Sequence, residues 1–133
     1  MLFSCSNNTD FDSIVKDKWR QCDKNSECIV DFAHTMDFEW DFMYFYSGGY
    51  SLDEINKDLG FELKEFIDIG DRIIFLYKGK VVYHQDWFPN PSEPPENIVF
   101  MTQKSKFRLD KKQAKFKITK EGKAYYLSSQ LYP

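Results

Sequence analysis

Short segments in which apolar and polar residues alternate occupy most of the chain after residue 70, and turns that contain Gly or Pro separate them. An alternation with a period of two is typical of β-strands that pack one face against a core, because successive side chains point to opposite faces. The pattern predicts strands at residues 71–77, 80–87, 97–102, 105–109, 114–119 and 124–129. The Lys78-Gly79 pair predicts a tight turn between the first two strands, since Gly accepts a positive φ.

Two further strands are predicted before residue 47. The first covers residues 27–35. The second begins with a strict alternation of acidic and aromatic residues, in which Asp37, Glu39 and Asp41 are the acids, and continues through an aromatic run to residue 46. This alternation predicts a strand with one face buried under aromatic rings and the other face in water.

Two short helices complete the predicted elements. Apolar residues at spacings of three and four predict a first helix, with Thr9 or Asp10 as its N-cap. These apolar positions are Phe11, Ile14, Val15, Trp19 and Cys22. Ser51 and Glu54 form a capping-box pattern at the start of a second helix, and Gly60 is placed to end it in a left-handed conformation.

The fold class predicted from these elements is α+β, with two short helices packed on one face of a largely antiparallel, meander-type sheet. The length of 133 residues predicts a single domain over residues 1–133, in which residues 1–9 form a flexible N-terminal tail. An aromatic content of 18% excludes a disordered chain, because so many rings supply ample surface to bury. We expect a monomer or a weak dimer.

Charge is unevenly distributed along the chain. Residues 104–123 hold nine basic and two acidic residues, whereas the other 113 residues hold nine basic and nineteen acidic ones. If the strands in the basic segment pair as a hairpin, five cations share one sheet face: Lys104, Lys106, Arg108, Lys115 and Lys117. This face either guards a sheet edge against pairing or binds an acidic protein or a phosphate. Nucleic acid is not expected, because no aromatic platform is evident on the same face.

Residues for catalysis or metal binding do not form a recognisable pattern. His34 and His84 are the only histidines, and neither belongs to a known hydrolase or metal-ligand motif. Asp37, Glu39 and Asp41 would lie about 7 Å apart along a strand, which favours a solvated face over a calcium site. We therefore expect no enzymatic activity, no cofactor and no metal.

Aromatic residues next to loops indicate a protein-contact surface, because such residues often anchor interfaces. We predict that Tyr50, Trp87 and Phe88 contact a partner protein, a toxin or an enzyme. The acids Asp37, Glu39 and Asp41 would complete the contact and set the association rate with a basic partner.

The cysteines leave the compartment open. The segment from Leu2 to Cys5 is similar to the end of a bacterial lipoprotein signal, in which Cys5 would carry lipid and provide the only attachment to a membrane. Five residues separate Cys22 from Cys28, which either form a disulfide or remain reduced. The protein belongs to the cell envelope or periplasm if Cys5 is lipidated, and to the cytoplasm otherwise.

One stretch resembles a group of small bacterial envelope lipoproteins. The shared features are the acidic–aromatic strand at residues 37–41, the helix start at 51–55, Leu-Gly at 59–60 and the Lys-Gly-Lys-Val-Val turn at 78–82. The resemblance covers residues 30–88 and implies no catalytic residues.

The function predicted from size, charge and loop aromatics is that of a non-catalytic module. The specific prediction is an immunity- or inhibitor-type protein of the bacterial envelope that occludes a partner protein. The alternative is a structural or assembly lipoprotein that contacts neighbours or anionic lipid through its Lys-rich sheet face.

Overall fold

The structure, a computed structural model, describes residues 10–60, 70–87 and 98–132. The elements are α1 (Phe11–Gln21), β1 (Cys28–Asp31), β2 (Phe42–Tyr46), α2 (Leu52–Leu59), β3 (Asp71–Tyr77), β4 (Lys80–Trp87), β5 (Ile98–Phe100), β6 (Lys106–Asp110), β7 (Lys115–Glu121) and β8 (Ala124–Ser129). These helices and strands confirm the predicted α+β class. Neither helix in the described ranges is long and apolar enough to cross a membrane.

The strands form two four-stranded sheets where the sequence predicted a single meander. Sheet I has the order β1-β7-β8-β5, and sheet II has the order β4-β3-β2-β6. Neighbouring strands are antiparallel, except that β5 and β8 run parallel. The turn after β6 carries the chain from sheet II to sheet I, so the consecutive strands β6 and β7 belong to different sheets. This crossing buries Phe107 and Phe116 in one core, with their ring centroids 6.4 Å apart.

The main hydrophobic core contains residues from both sheets and from α1. Phe11 of α1 is fully buried, and its ring stacks on Phe32 with the centroids 4.5 Å apart. The same ring lies 5.6 Å from Trp87 and 6.0 Å from Phe100, which belong to different sheets. The first turn of α1 therefore joins the two sheets through aromatic contacts.

A second, smaller cluster lies on the opposite face of sheet II. Ile73 and Phe75 of β3 point into the main core, whereas Ile74 and Leu76 pack in the second cluster with Ile55 of α2. Burial on both faces explains why β3 is a continuous apolar run rather than an alternating one. Helix α2 therefore packs on the outer face of sheet II, whereas α1 contributes to the main core and contacts β1, so the two helices do not share one sheet face as the sequence predicted.

Helix α2 is defined by local hydrogen bonds that the sequence predicted. The Ser51 hydroxyl oxygen accepts a hydrogen bond from the Glu54 backbone N–H at 3.1 Å, and the Glu54 carboxylate accepts one from the Ser51 N–H at 2.9 Å. Gly60 ends the helix with a φ of 79°, a conformation that favours glycine.

The acidic–aromatic segment is not a strand over residues 37–41, where the sequence predicted one; β2 begins at Phe42. The Trp40 indole N–H donates to the Phe32 carbonyl oxygen at 3.2 Å, and the Asp41 N–H donates to the Leu76 carbonyl oxygen at 2.7 Å. These bonds hold the chain in turns before β2. As a result, Trp40 enters the main core, while Phe42 and Tyr44 lie on the opposite face of sheet II.

Cys22 and Cys28 are joined by a disulfide bond that ties the end of α1 to the first residue of β1, with the two Cα atoms 5.6 Å apart. The bond closes a short loop, and it lies where α1 meets the main core.

We expect the Cys22→Ala, Cys28→Ala double variant to lose about 2 kcal/mol of unfolding free energy, because a short closed loop restricts the unfolded chain by that amount. Urea unfolding followed by tryptophan fluorescence measures the loss. The parent protein treated with reductant should unfold at the same urea concentration as the variant. A midpoint that neither reductant nor substitution changes would show that the bond does not contribute to stability.

Candidate protein-binding face

The outer face of sheet II, beside α2, combines aromatic and basic side chains. The antiparallel register of β2 and β6 places Tyr46 opposite Lys106 and Tyr44 opposite Arg108. Phe42 is the next outward residue of β2. We call these five residues the basic–aromatic face. The expectation that no aromatic platform shares a face with the cations is thus wrong, because β6 pairs with β2 instead of β7.

An open groove of about 330 Å³ follows this face between β6 and α2. Its lining residues are Tyr44, Tyr46, Asp58, Lys106, Phe107 and Arg108. Rings therefore form its floor, and both cations and one carboxylate lie along its sides. Such a mixture suits a ligand that carries negative charge next to an apolar or aromatic group.

The carboxylate of Asp58 links α2 to both strands. Its Oδ2 lies 2.7 Å from Lys106 Nζ and accepts a hydrogen bond from the Tyr46 hydroxyl at 3.4 Å. The hydrogen bond with Asp58 raises the pKa of Lys106. Burial, reinforced by the nearby Asp58 charge, raises the pKa of Tyr46, so the Tyr46 hydroxyl stays protonated and continues to donate.

Arg108 is placed differently from Lys106. Its guanidinium carbon lies 4.7 Å from the centre of the Phe42 ring, at cation–π distance. In the described ranges no carboxylate lies within 4.0 Å of this guanidinium, whereas Lys106 is paired with Asp58. A planar guanidinium can bind a carboxylate through two parallel hydrogen bonds. Arg108 is therefore the cation of this face with a charge available to a ligand.

Among the predicted protein-contact residues that the structure describes, Tyr50 is the one that borders the basic–aromatic face. Its hydroxyl lies 2.7 Å from the Ser105 hydroxyl, and its ring meets the Tyr46 ring edge-on with centroids 5.4 Å apart. Lys106 Nζ lies 5.7 Å from the centre of the Tyr50 ring. These contacts hold the Tyr50 side chain in place at one end of the groove.

Trp87, by contrast, is a core residue, so its assignment as a contact residue is wrong. Its side chain belongs to the main core, the residue is only 7% exposed, and its ring lies 5.6 Å from Phe100. The position of Trp87 at the end of a strand suggested exposure. In the structure, the Trp87 side chain points to the core side of β4, which buries the ring. Phe88 lies outside the described residues, as does Cys5 with its predicted lipid.

The three acids before β2 do not form a row. Asp37 and Glu39 are exposed in the turns, whereas Asp41 is half-buried and its carboxylate accepts a hydrogen bond from the Lys78 N–H at 3.1 Å. The break in the strand separates Asp41 from the other two. Within the described part of the chain, no group of three His, Cys, Asp or Glu side chains is arranged to hold a metal ion.

The five predicted cations are divided among three places. Lys106 and Arg108 lie on the basic–aromatic face, and Lys104 lies in the turn before β6. Lys115 and Lys117 lie on the outer face of sheet I, where Lys117 Nζ is 3.4 Å from the Glu27 carboxylate. A single five-cation face is therefore wrong, because the chain changes sheets between β6 and β7.

His84 and Asp86 are two residues apart on β4 and share one face of the strand. His84 Nε2 lies 2.7 Å from Asp86 Oδ1, and Nε of the fully buried Arg72 lies 3.7 Å from the same oxygen. The Arg72 guanidinium also donates to the Gly70 carbonyl oxygen at 3.2 Å. This arrangement anchors the side chains of β3 and β4 to each other.

A half-buried carboxylate at the start of α1 was not found from the sequence. Asp12 Oδ1 accepts hydrogen bonds from the Trp87 indole N–H and from the Gln85 amide, each at 3.1 Å. Burial raises the pKa of Asp12, although both hydrogen bonds oppose the shift. Only the approach of β4 gives Asp12 this environment, and the sequence around α1 does not show which strand packs against it.

The Trp87→Ala substitution distinguishes a core residue from a contact residue. We expect it to lower the unfolding free energy by about 3 to 5 kcal/mol, as for other buried aromatic residues. Tyr50→Ala, at the border of the basic–aromatic face, should cost far less in the same urea titration. Equal small losses for the two variants would contradict the burial of Trp87.

The carboxyl of Asp12 should make the protein more stable as the pH falls from 7 towards 4. Because its pKa in the folded protein is raised above the ordinary value of 3.8, the folded state binds more protons in this window than the unfolded state does. In Asp12→Asn this contribution is absent, so the parent should gain stability relative to the variant on acidification. Urea unfolding at several pH values tests this, and an NMR-measured Asp12 pKa at or below 3.8 would contradict it.

No protein-family model, curated protein or solved structure matches the chain. The resemblance to bacterial envelope lipoproteins therefore stays a prediction.

Proposed function

We propose that the protein is a non-catalytic binding module of immunity or inhibitor type that occludes a partner protein with its basic–aromatic face. The observation that carries this proposal is that the half-buried Tyr44 lies opposite the exposed Arg108, and that the exposed Lys106 lies opposite the fully buried Tyr46, beside an open groove. Tyrosine and arginine, like tryptophan, are enriched at the energetic centres of protein interfaces.

The side chains of this face are already held in position. Lys106 is fixed by Asp58, Arg108 packs on Phe42, and the Tyr50 hydroxyl bonds to Ser105. A partner would therefore immobilise few additional rotamers on binding, which lowers the entropic cost of association. The strands that carry these residues are backed by the main core, so the face is rigid enough to block a partner sterically.

The face also changes the expected chemistry of the partner. The exposed acids Asp37 and Glu39 suggested a basic partner, but the groove presents Lys106 and Arg108 together with tyrosine rings. A complementary surface on the partner carries carboxylates. We place the protein in the bacterial envelope as part of this proposal, and the disulfide between Cys22 and Cys28 agrees with an oxidising compartment.

The alternative of a lipid-binding or assembly lipoprotein loses the feature on which it rested. It required one flat Lys-rich face, whereas Lys106 and Arg108 lie on sheet II and Lys115 and Lys117 on sheet I. A flat membrane would contact one of these pairs at a time. We therefore favour the protein partner.

Affinity capture from the native host, with the tagged parent and two charge-reversal variants, tests the proposal. We expect the parent and the Lys115→Glu, Lys117→Glu variant to retain the same protein at physiological salt. The Lys106→Glu, Arg108→Glu variant should retain at least about tenfold less of it, because Arg108→Glu turns an attraction into a repulsion and Lys106→Glu places a second negative charge beside Asp58. The two variants carry the same net charge, so the comparison isolates the position of the charges.

Two outcomes would overturn the proposal. One is that no protein is retained by the parent in a saturable manner. The other is that reversal of Lys106 and Arg108 leaves the retained protein unchanged. Circular dichroism of both variants confirms that the strands have formed before the capture is interpreted.

A further inference from the structure

We infer that β6 is a docking edge to which the partner adds an extended acidic segment as a further strand of sheet II. This inference rests on the proposed function and specifies how the partner is held. β6 is the last strand in the order β4-β3-β2-β6, and in the described ranges no strand pairs with its outer side. An unpaired edge offers a row of backbone donors and acceptors to an extended chain.

The hydrogen bonds between β2 and β6 show which backbone groups of β6 face the open edge. The Ser47 N–H donates to the Ser105 carbonyl oxygen at 2.8 Å, in line with the register of β2 and β6. In an antiparallel pair, residues alternate between bonding to the partner strand and facing away from it. Lys106 and Arg108 therefore direct their N–H and C=O groups away from β2. Asp110 follows the same phase, and its N–H donates to the Gln113 side chain at 3.0 Å.

The other three edges are less suited to pairing. β1 and β5, at the edges of sheet I, are only four and three residues long. β4, at the far edge of sheet II, has a register shift opposite Phe75 and Leu76. Short strands and bulges are common ways of preventing strand addition. β6 has five residues in uninterrupted register with β2, whereas β4 reaches the same length only from Tyr83 to Trp87, on one side of its bulge.

The side chains of β6 select the chemistry of the added strand. Phe107 and Leu109 are buried in the main core, whereas Lys106 and Arg108 are exposed on the outer face. Alternate side chains of an added strand would lie about 5 Å from these cations, measured between Cβ atoms. Arg108 attracts an acidic residue opposite it and repels a basic one, whereas Lys106 shares its charge with the Asp58 carboxylate and attracts an acidic residue less strongly.

The same charges disfavour a second copy of this chain as the occupant. Pairing of two β6 edges would bring Lys106 and Arg108 of one copy next to those of the other, and like charges placed opposite one another destabilise a sheet. The occupant that fits the edge is therefore a segment of a different protein, extended and with acidic residues at every second position.

A capped eight-residue peptide of alternating Thr and Glu serves as the probe, and its Thr–Lys counterpart is the control. We expect the Glu peptide to bind the parent and the Lys115→Glu, Lys117→Glu variant alike. Lys106→Glu, Arg108→Glu should weaken its binding about tenfold and should prefer the Lys peptide, because the sign of each cross-strand pair is reversed. Titrations followed by NMR measure these affinities.

Amide hydrogen exchange in the same samples tests strand addition itself. The Glu peptide should slow exchange at the Lys106 and Arg108 amides, which face the open edge. Exchange at Phe107 and Leu109 should change little, because those amides already face β2. This two-residue periodicity is not expected if the peptide contacts side chains alone.

Several results would overturn the inference. The first is that the Glu peptide does not bind. The second is that it binds without slowing exchange at the Lys106 and Arg108 amides. The third is that Lys106→Glu, Arg108→Glu weakens the binding of a single-stranded DNA oligomer more than it weakens the binding of the peptide. If the native partner is captured through Lys106 and Arg108 but leaves their amides unprotected, strand addition fails while the proposed function stands.

Discussion

The pairing of β6 with β2 is the constraint on which the rest of the structure depends. The chain leaves β6 through a turn in which the Asp110 carboxylate accepts hydrogen bonds from the Lys112 and Gln113 N–H groups at 2.9 and 3.1 Å. This turn sends β7 into the other sheet, so Phe107 and Phe116 meet across one core instead of lying side by side in one sheet. The same crossing places two cations beside the tyrosines of β2.

Elements defined by local chemistry could be predicted from the sequence. The capping box at Ser51 and the left-handed Gly60 depend only on neighbouring residues, and both are present in α2. The β3–β4 hairpin likewise follows from its Lys78-Gly79 turn and a run of apolar residues. In these cases the free energy that selects the structure comes from groups a few residues apart, which a sequence displays directly.

Strand partners and side-chain environments could not be predicted in the same way. The alternation of residues 105–109 and 114–119 is the same whether β6 pairs with β7 or with β2, because it reports which face is buried and not which strand is adjacent. The acidic–aromatic alternation before β2 likewise did not distinguish a strand from a series of turns. Trp40 is buried by its hydrogen bond to Phe32 and its ring contacts, which a turn satisfies as well as a strand does.

The distribution of charge over the whole protein affects how an acidic partner approaches the β6 edge. Outside residues 104–123 the chain is strongly acidic, and on sheet I the cation Lys117 lies near the Glu27 carboxylate. An acidic partner is therefore repelled by the acidic remainder of the protein and attracted to the basic segment, which supplies Lys106 and Arg108 on sheet II and Lys115 and Lys117 on sheet I. Long-range repulsion of this kind disfavours misoriented encounters, and it weakens as salt screens it. Charge would orient the partner as it approaches, and backbone hydrogen bonds would fix the register of the added strand. β6 offers groups for both.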